Sequence, residues 1–313
     1  MTASSSPMPI GGAALLTGSP TRRRNERIVR GVLFLAAMVS ILISAFIVLS
    51  IIGEAVSFLA QIDLSQLTAE GWFPRRGLFG ISTLIVGSLL VTGIAILIAA
   101  PVGIASAIYL AEYSGPRTRG IVKPILEILA GIPSVVLGFF ALTVITPKVI
   151  QAVFPTANGF NLLAAGIGVG ILTIPLIATI SEDAMRAVPR SLREGAYGLG
   201  ARRATVSLRI VVPAAISGIV AALILGISRS IGETMVVALA AGASGGTLFT
   251  TNVLGPGQTV TAAMAALATG SDQVTGNTAA FQSLFFLGLM LFLATLGLNV
   301  LGDAFVRRTR QRY

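Results

Sequence analysis

The chain has 313 residues, 54% hydrophobic and only 11% charged, with a net charge of +10 and a mean hydropathy of +0.90. This balance excludes an ordinary soluble domain and predicts an all-α polytopic membrane protein. Barrel strands would alternate in short segments, whereas these apolar runs are long and continuous. The positive charge gathers beside those runs, which argues for a membrane surface and against nucleic acid. Neither cysteine nor histidine is present, so thiolate metal sites, cysteine nucleophiles and Ser-His-Asp or Cys-His hydrolysis are excluded. The two lysines, Lys123 and Lys148, follow no glycine-rich phosphate loop, and a Walker A sequence is absent.

Residues 1–21 are rich in Ser, Pro, Gly and Thr and are expected to form a flexible tail. Arg22, Arg23, Arg24, Arg27 and Arg30 accompany the start of the first apolar run, Ile28 to Leu59, which is too long for a signal-peptide core and reads as an uncleaved span. A polar stretch with Asp63, Glu70, Trp72, Arg75 and Arg76 follows, Trp72 suiting an interfacial anchor. Span two is expected over about Gly80 to Leu110 with Pro101 inside it. Span three covers Ile121 to Ile145 with Glu127 and Pro133, and span four Phe160 to Ile180, broken by Pro175. A basic segment, 181–209, leads into span five at 210–240. A Gly/Thr-rich loop at 242–278 holds one charge, Asp272, and span six runs from Ala279 to Phe305. The expected divisions are a basic tail, 1–27, a transmembrane body, 28–306, with a cytoplasmic loop at about 182–209, and a short basic tail, 307–313. Eighteen of the 22 Lys and Arg residues fall on one side of this six-span arrangement, and positive residues stay cytoplasmic, so both termini are expected inside.

Span five carries Arg229 and Glu233 within an apolar run, where a charge costs at least about 2.5–3.5 kcal/mol. Four apart, they share one face of a helix. One reading is a structural ion pair; the other is an anion site on a pathway, since intramembrane Arg usually faces a polar interior and its N–H fork suits oxyanions. On a continuous helix Arg229 would lie roughly 24 Å beyond Pro213 at about 1.5 Å per residue, with Glu233 restraining it when no anion is bound. Glu127 either pairs with Arg229 or serves the membrane interface, and Ser134 either donates into a pathway or bonds its own backbone. Gly131/Gly138 and Gly166/Gly168/Gly170 read as close helix packing. Pro101, Pro133 and Pro175 mark candidate hinges.

In the segment 188–213, VPRSLREGAYGLGARRATVSLRIVVP, Ser191 and Glu194 have the spacing of a capping box. Val188, Leu192, Ala196 and Leu199 make a short apolar stripe, and Gly198 and Gly200 permit a turn. A short amphipathic helix across the cytoplasmic face is expected. Glu194-Gly195-Ala196, then Gly200, Ile210, Val212 and Pro213, resembles the EAA loop of ABC importer permeases, E-A-A-x3-G-x9-I-x-L-P, with Gly195 for Ala and Val212 for Leu. The stretches EILAGIPSVVLGFF (127–140) and SRSIGETMVV (228–237) are similar to signatures of phosphate (Pst) permeases, and the ending resembles the PstC type over that of its PstA-type sister.

The resemblance covers about residues 28–312. It implies the type I importer fold and no ATPase activity in this chain. Implied partners are a PstA-type sister permease, two PstB-type ATP-binding subunits and a PstS-type phosphate-binding protein, in the cytoplasmic membrane of a bacterium or archaeon. Glu194, Gly195, Ala196, Gly200, Ile210 and Pro213 would belong to the ATPase coupling contact, and Arg229, Glu233, Glu127 and Ser134 to the path for inorganic phosphate, with no cofactor. Sulfate or molybdate is an alternative cargo; a secondary transporter or channel would not need the loop. Without paired intramembrane aspartates or histidine, no intramembrane protease can be drawn.

Overall fold

The computed structural model describes residues 20–242, 246–270 and 278–309. Residues 1–19 of the expected N-terminal tail, Asp272, Arg310 and Arg312 lie outside them, while 20–27, expected as tail, are already helical. Among the described residues, five helices are long and apolar enough to cross a membrane, and a bent pair makes a sixth crossing. The first, α1, runs Pro20–Gln61. Its residues to Ile51 form a unit of their own, an apolar helix with Leu33, Phe34, Leu35 and Phe46 all exposed, the surface expected of a helix bathed in lipid.

The second unit starts at Ile52. The end of α1 contributes Phe58 to an aromatic cluster, edge-on to Phe79 at 5.0 Å and tilted against Phe286 at 5.4 Å. Two short antiparallel strands, β1 (Trp72–Phe73) and β2 (Leu78–Phe79), form a hairpin closed by Gly77 in the left-handed region. Trp72, expected at an interface, is only 1% exposed and meets Phe79 edge-on at 5.9 Å. The hairpin folds it inward, where its large apolar area is worth more buried than wet.

Helix α2 (Ile81–Tyr113) ends in a π-wound turn, Tyr109–Tyr113, and packs against α5 (Leu162–Arg186). Glycines set their separation. A Cβ on Gly103 would press on Ile177, and one on Gly170 would come within 3.1 Å of the Ala95 carbonyl. Between membrane helices such close approach replaces the hydrophobic drive that lipid cannot supply. The expected packing role of Gly138 and Gly168 also holds: their neighbours are Met235 and Val236.

Span three differs from the sequence reading. Residues 116–130 form a separate amphipathic helix, α3 (Pro116–Ala130), and the crossing is α4 (Ser134–Val153). Pro133 supplies no N–H and disfavours helical geometry in Ile132, so the chain turns at Gly131–Pro133 and restarts with Pro133 as N-cap. Pro133 therefore sits at a junction, whereas Pro101 and Pro175 lie inside α2 and α5.

After the short helix α6 (Arg190–Gly198), span five is broken twice. Helices α7 (Arg203–Ala214) and α8 (Ile216–Ile231) meet at 69°. Pro213 lies beside the bend, where it removes a backbone donor, and Gly218 accepts the close approach of Ala184. A second break at Gly232–Thr234 precedes α9 (235–242).

The expected external loop after span five is largely structure. Its segment 252–259 runs without helix or strand yet has Gly255, Gly257, Gln258 and Thr259 buried. Its backbone is matched by Asn158 N–H to Leu254 O (2.9 Å), Leu162 N–H to Gly255 O (3.1 Å), Leu163 N–H to Val253 O (2.9 Å) and Gly257 N–H to Ala241 O (3.1 Å). Irregular backbone is tolerated at such depth only when its polar groups are met by protein or water. Helix α10 (Val260–Thr269) follows, capped by the Thr259 hydroxyl, then α11 (Thr278–Thr309).

Gly87 of α2 faces this segment with no room for a methyl group, its missing Cβ falling on the Gln258 carbonyl. Gly87→Ala should therefore destabilise the protein by about 1–3 kcal/mol. Gly93→Ala, on the same helix with open space around it, should be neutral or gain roughly 0.5–1 kcal/mol. Thermal unfolding of the two variants in detergent micelles checks the contrast.

Candidate functional site

Arg229 occupies the last turn of α8. Ser228 bonds Asn299 Oδ1 of α11 at 3.2 Å, and Ser230, buried, lies 3.2 Å from the Thr173 hydroxyl of α5. Successive helical residues are about 100° apart, so the two serines commit the neighbouring faces to packing and leave Arg229 on the open face, where it is exposed. A cation at a helix C-terminus is favoured by the macrodipole.

Glu233 does not share that helix. α8 stops at Ile231, and among the described residues no ion pair joins Glu233 to Arg229. Instead the half-buried Glu233 carboxylate accepts the Val236 N–H at 3.3 Å, and its carbonyl accepts the Thr261 hydroxyl at 2.7 Å. It thus caps the start of α9 and ties the second break to the N-terminus of α10. Helix α8 thus ends at Ile231, with Gly232 as its C-cap, where the sequence pattern predicts it to continue.

Glu127 and Ser134 flank the turn between α3 and α4. Glu127 is exposed on α3 and makes no ion pair among the described residues; Ser134 is half-buried as the first residue of α4. Among the described residues, neither forms an ion pair with Arg229.

The amphipathic helix is α6; Leu192 and Ala196 on its inner face, with Val188 just before it, join a cluster with Ala107, Met185, Val206, Val211 and Ile219. Two details differ from the sequence reading. Pro189 is the N-cap, so Ser191 lies inside the helix and no Ser191–Glu194 capping box forms. Leu199 leaves the apolar stripe and is 91% exposed, because it is the C-cap. The helix ends in a Schellman motif: Ala201 N–H bonds Ala196 O (3.1 Å), Gly200 N–H bonds Tyr197 O (2.9 Å), and Gly200 has φ +78°. Glu194, Gly195 and Tyr197 stand outward and exposed. Ile210 is half-buried against the same cluster, and Pro213 marks the bend of span five.

Sequence reasoning passed over two buried acids. Glu112, in the last turn of α2, is paired with Arg193 of α6 at 2.9 Å. Glu182 of α5, fully buried, lies 2.7 Å from Arg119 and 3.0 Å from Lys123 of α3, and Lys123 also reaches Asp183 at 2.8 Å. The available signal was an acid (Glu112) or an adjacent acid pair (Glu182 and Asp183) at the end of an apolar run, opposite a local excess of Arg and Lys. Burial pulls the Lys123 ammonium down, but its hydrogen bonds to Asp183 and Glu182 outweigh this and raise its pKa.

Up to six crossings among the described residues, one of them bent beside a proline, a buried irregular segment and a short basic helix between crossings define a polytopic helical membrane protein. Residues 99–313 match the model of the family described as binding-protein-dependent transport system inner membrane component; the chain belongs to this family. It is 37% identical to the Bacillus subtilis probable ABC transporter permease protein YqgH, over 73% of this chain and 75% of that one. It is 33% identical to the Mesorhizobium japonicum phosphate transport system permease protein PstC over 83% of each chain. It is also 33% identical to the Mycobacterium tuberculosis PstC 1, over 75% of this chain and 74% of the relative. Among solved structures, a chain of a bacterial ABC transporter that imports alginate superposes with a TM-score of 0.62 at 17% identity, covering 92% of this chain and 100% of that one. The fold is that of the type I ABC importer permeases.

Gly200→Ala, which forces a side chain into left-handed backbone, should cost about 1–2 kcal/mol. Gly198→Ala, inside α6 with open space, should not, and calorimetric melting of both separates strain from crowding. For Lys123 the raised pKa means that its contribution to stability is complete below about 10.4 and is lost as pH rises through the folded value. The melting gap between wild type and Lys123→Met should therefore stay constant through neutral pH and close only in strongly alkaline buffer.

Proposed function

We propose that this chain is the PstC-type permease subunit of an ATP-driven importer of inorganic phosphate. The observation that carries this reading is the 33% identity to a PstC that extends over 83% of both chains; the span-five chemistry supports it. A multiply charged anion cannot cross lipid without donors, and Arg229 offers on the open face of α8 a guanidinium with no ion pair among the described residues, whose fork matches phosphate oxygens in bidentate fashion. Glu233, one break further on, limits how strongly that site holds an anion, and Glu127 and Ser134 line the approach at the α3–α4 turn.

In this reading the sister permease is PstA-like and covers the open face of α8, so that the path runs between the two subunits. Both termini lie in the cytoplasm, following the excess of Arg and Lys on that side. The outward surface of α6, with Glu194, Gly195 and Tyr197, docks on one of two PstB-like ATPases. A PstS-like binding protein delivers phosphate from outside the cytoplasmic membrane. This chain performs no hydrolysis itself.

Labelled phosphate uptake in a strain lacking the gene tests the reading. Wild type should restore uptake that sulfate and molybdate do not compete away. Arg229→Gln should assemble yet lose at least about tenfold in uptake, the scale of one charge-assisted contact, and Glu233→Gln should alter transport with assembly intact. Normal transport by Arg229→Gln would make that residue structural. Sulfate- or molybdate-sensitive uptake would reassign the cargo.

A further inference from the structure

The carboxylate of Glu112 is 4% exposed, a costly place for a charge unless its lone pairs are met. Arg193 meets the carboxylate at Oε1, and Arg203 meets the backbone carbonyl of the same residue. From α6, Arg193 donates Nε and Nη2 to Glu112 Oε1 at 3.2 and 2.9 Å, and the same guanidinium bonds Met185 O (2.8 Å) and Val188 O (2.7 Å). From the start of α7, Arg203 donates Nε to the Glu112 carbonyl at 2.9 Å, joined by its Nη2, and stacks 5.1 Å over the Tyr113 ring. Both flanks of α6 are thereby bolted to a single residue of α2 and to the end of α5. The opposite surface of α6 carries none of this: Glu194, Tyr197 and Leu199 are exposed.

We infer that Glu112 is the positioning residue of energy coupling: it makes α6 and the cytoplasmic ends of α2 and α5 one rigid body. A push on the outer surface of α6 then moves the crossings, and the helix cannot rock in its seat. This rests on the permease reading above. Helix α6 is short, and the apolar side chains that seat it are small or medium (Leu192, Ala196 and, just before the helix, Val188) and would permit tilting; the planar fork of Arg193 fixes direction as well as distance. A residue that only holds the fold together would, on removal, lower assembly, hydrolysis and transport in proportion. A coupling residue separates them.

The test uses the complete complex with its ATPase and binding protein in liposomes, with ATP hydrolysis and phosphate accumulation measured in parallel for wild type, Glu112→Gln, Arg193→Lys and the double variant. The expected result is intact assembly and sustained hydrolysis, with phosphate moved per ATP reduced at least about tenfold in each single variant and no further in the double, as for residues acting as one unit. A wild-type ratio in Glu112→Gln, or a proportional loss of hydrolysis and transport, overturns the inference. A second readout is independent of cargo. The chain has no cysteine, so spin labels at Gly195→Cys and Tyr109→Cys report the α6–α2 distance without background. One narrow distance with and without nucleotide, broadened by Glu112→Gln, supports the rigid joint, and identical distributions in the two backgrounds refute it. If wild type hydrolyses ATP but accumulates no phosphate, the cargo reading fails, and the distance measurement still decides the joint.

Discussion

In hydrocarbon, a backbone N–H or C=O without a partner costs several kcal/mol, and this chain interrupts its helices repeatedly. The turn at Gly131–Pro133, the 69° bend beside Pro213, the break at Gly232–Thr234 and the irregular segment 252–259 each release backbone groups. Much of the remaining architecture satisfies them. The 252–259 segment bonds to the loop before α5 and to α9; Glu233 serves α9 with its carboxylate and accepts from Thr261 with its carbonyl. Gly87 of α2 is the counterpart of these bonds, because irregular backbone must approach a helix surface closely to be covered by it. Two of these breaks, Gly232–Thr234 and 252–259, lie where the end of α8 that carries Arg229 leads into α9 and α10.

Much of this was legible in the residues. Composition and the length of the apolar runs determine an all-helical membrane protein, and the spacing from Glu194 to Pro213 identifies the family before any coordinate is known. What the pattern misjudges is continuity. Hydropathy cannot distinguish α3 from the crossing that follows, since Ile121, Ile125 and Ile128 are as apolar as the residues of α4; the separation is made by the steric demand of Pro133. It likewise runs α8 straight through Gly232, and so predicts an Arg229–Glu233 face that the end of the helix removes. Trp72 was misplaced for the opposite reason: a hairpin with a four-residue turn, 74–77, brings a polar-looking stretch inward, an effect of tertiary packing that no window average contains.

The buried acids were the least visible part of the site. Glu112 stands alone among apolar and aromatic neighbours, Glu182 is followed at once by Asp183, and their partners Arg193, Arg203, Arg119 and Lys123 come from distant segments. An excess of basic residues on one side of a membrane is usually read as an orientation signal only. Here several of those residues are consumed in ion pairs that knit loops to crossings, so orientation and loop architecture draw on the same charges.

The serines on either side of Arg229 have a further meaning for motion. Because Ser228 is tied to α11 and Ser230 to α5, the azimuth of α8 is locked at the height of its guanidinium. Turning α8 about its own axis would break both bonds, so the arginine cannot be swung out of the way by a twist. It can be withdrawn only if α5, α8 and α11 travel together as a block, which makes the exposure of that charge a property of the whole bundle's position and not of one side chain's rotamer.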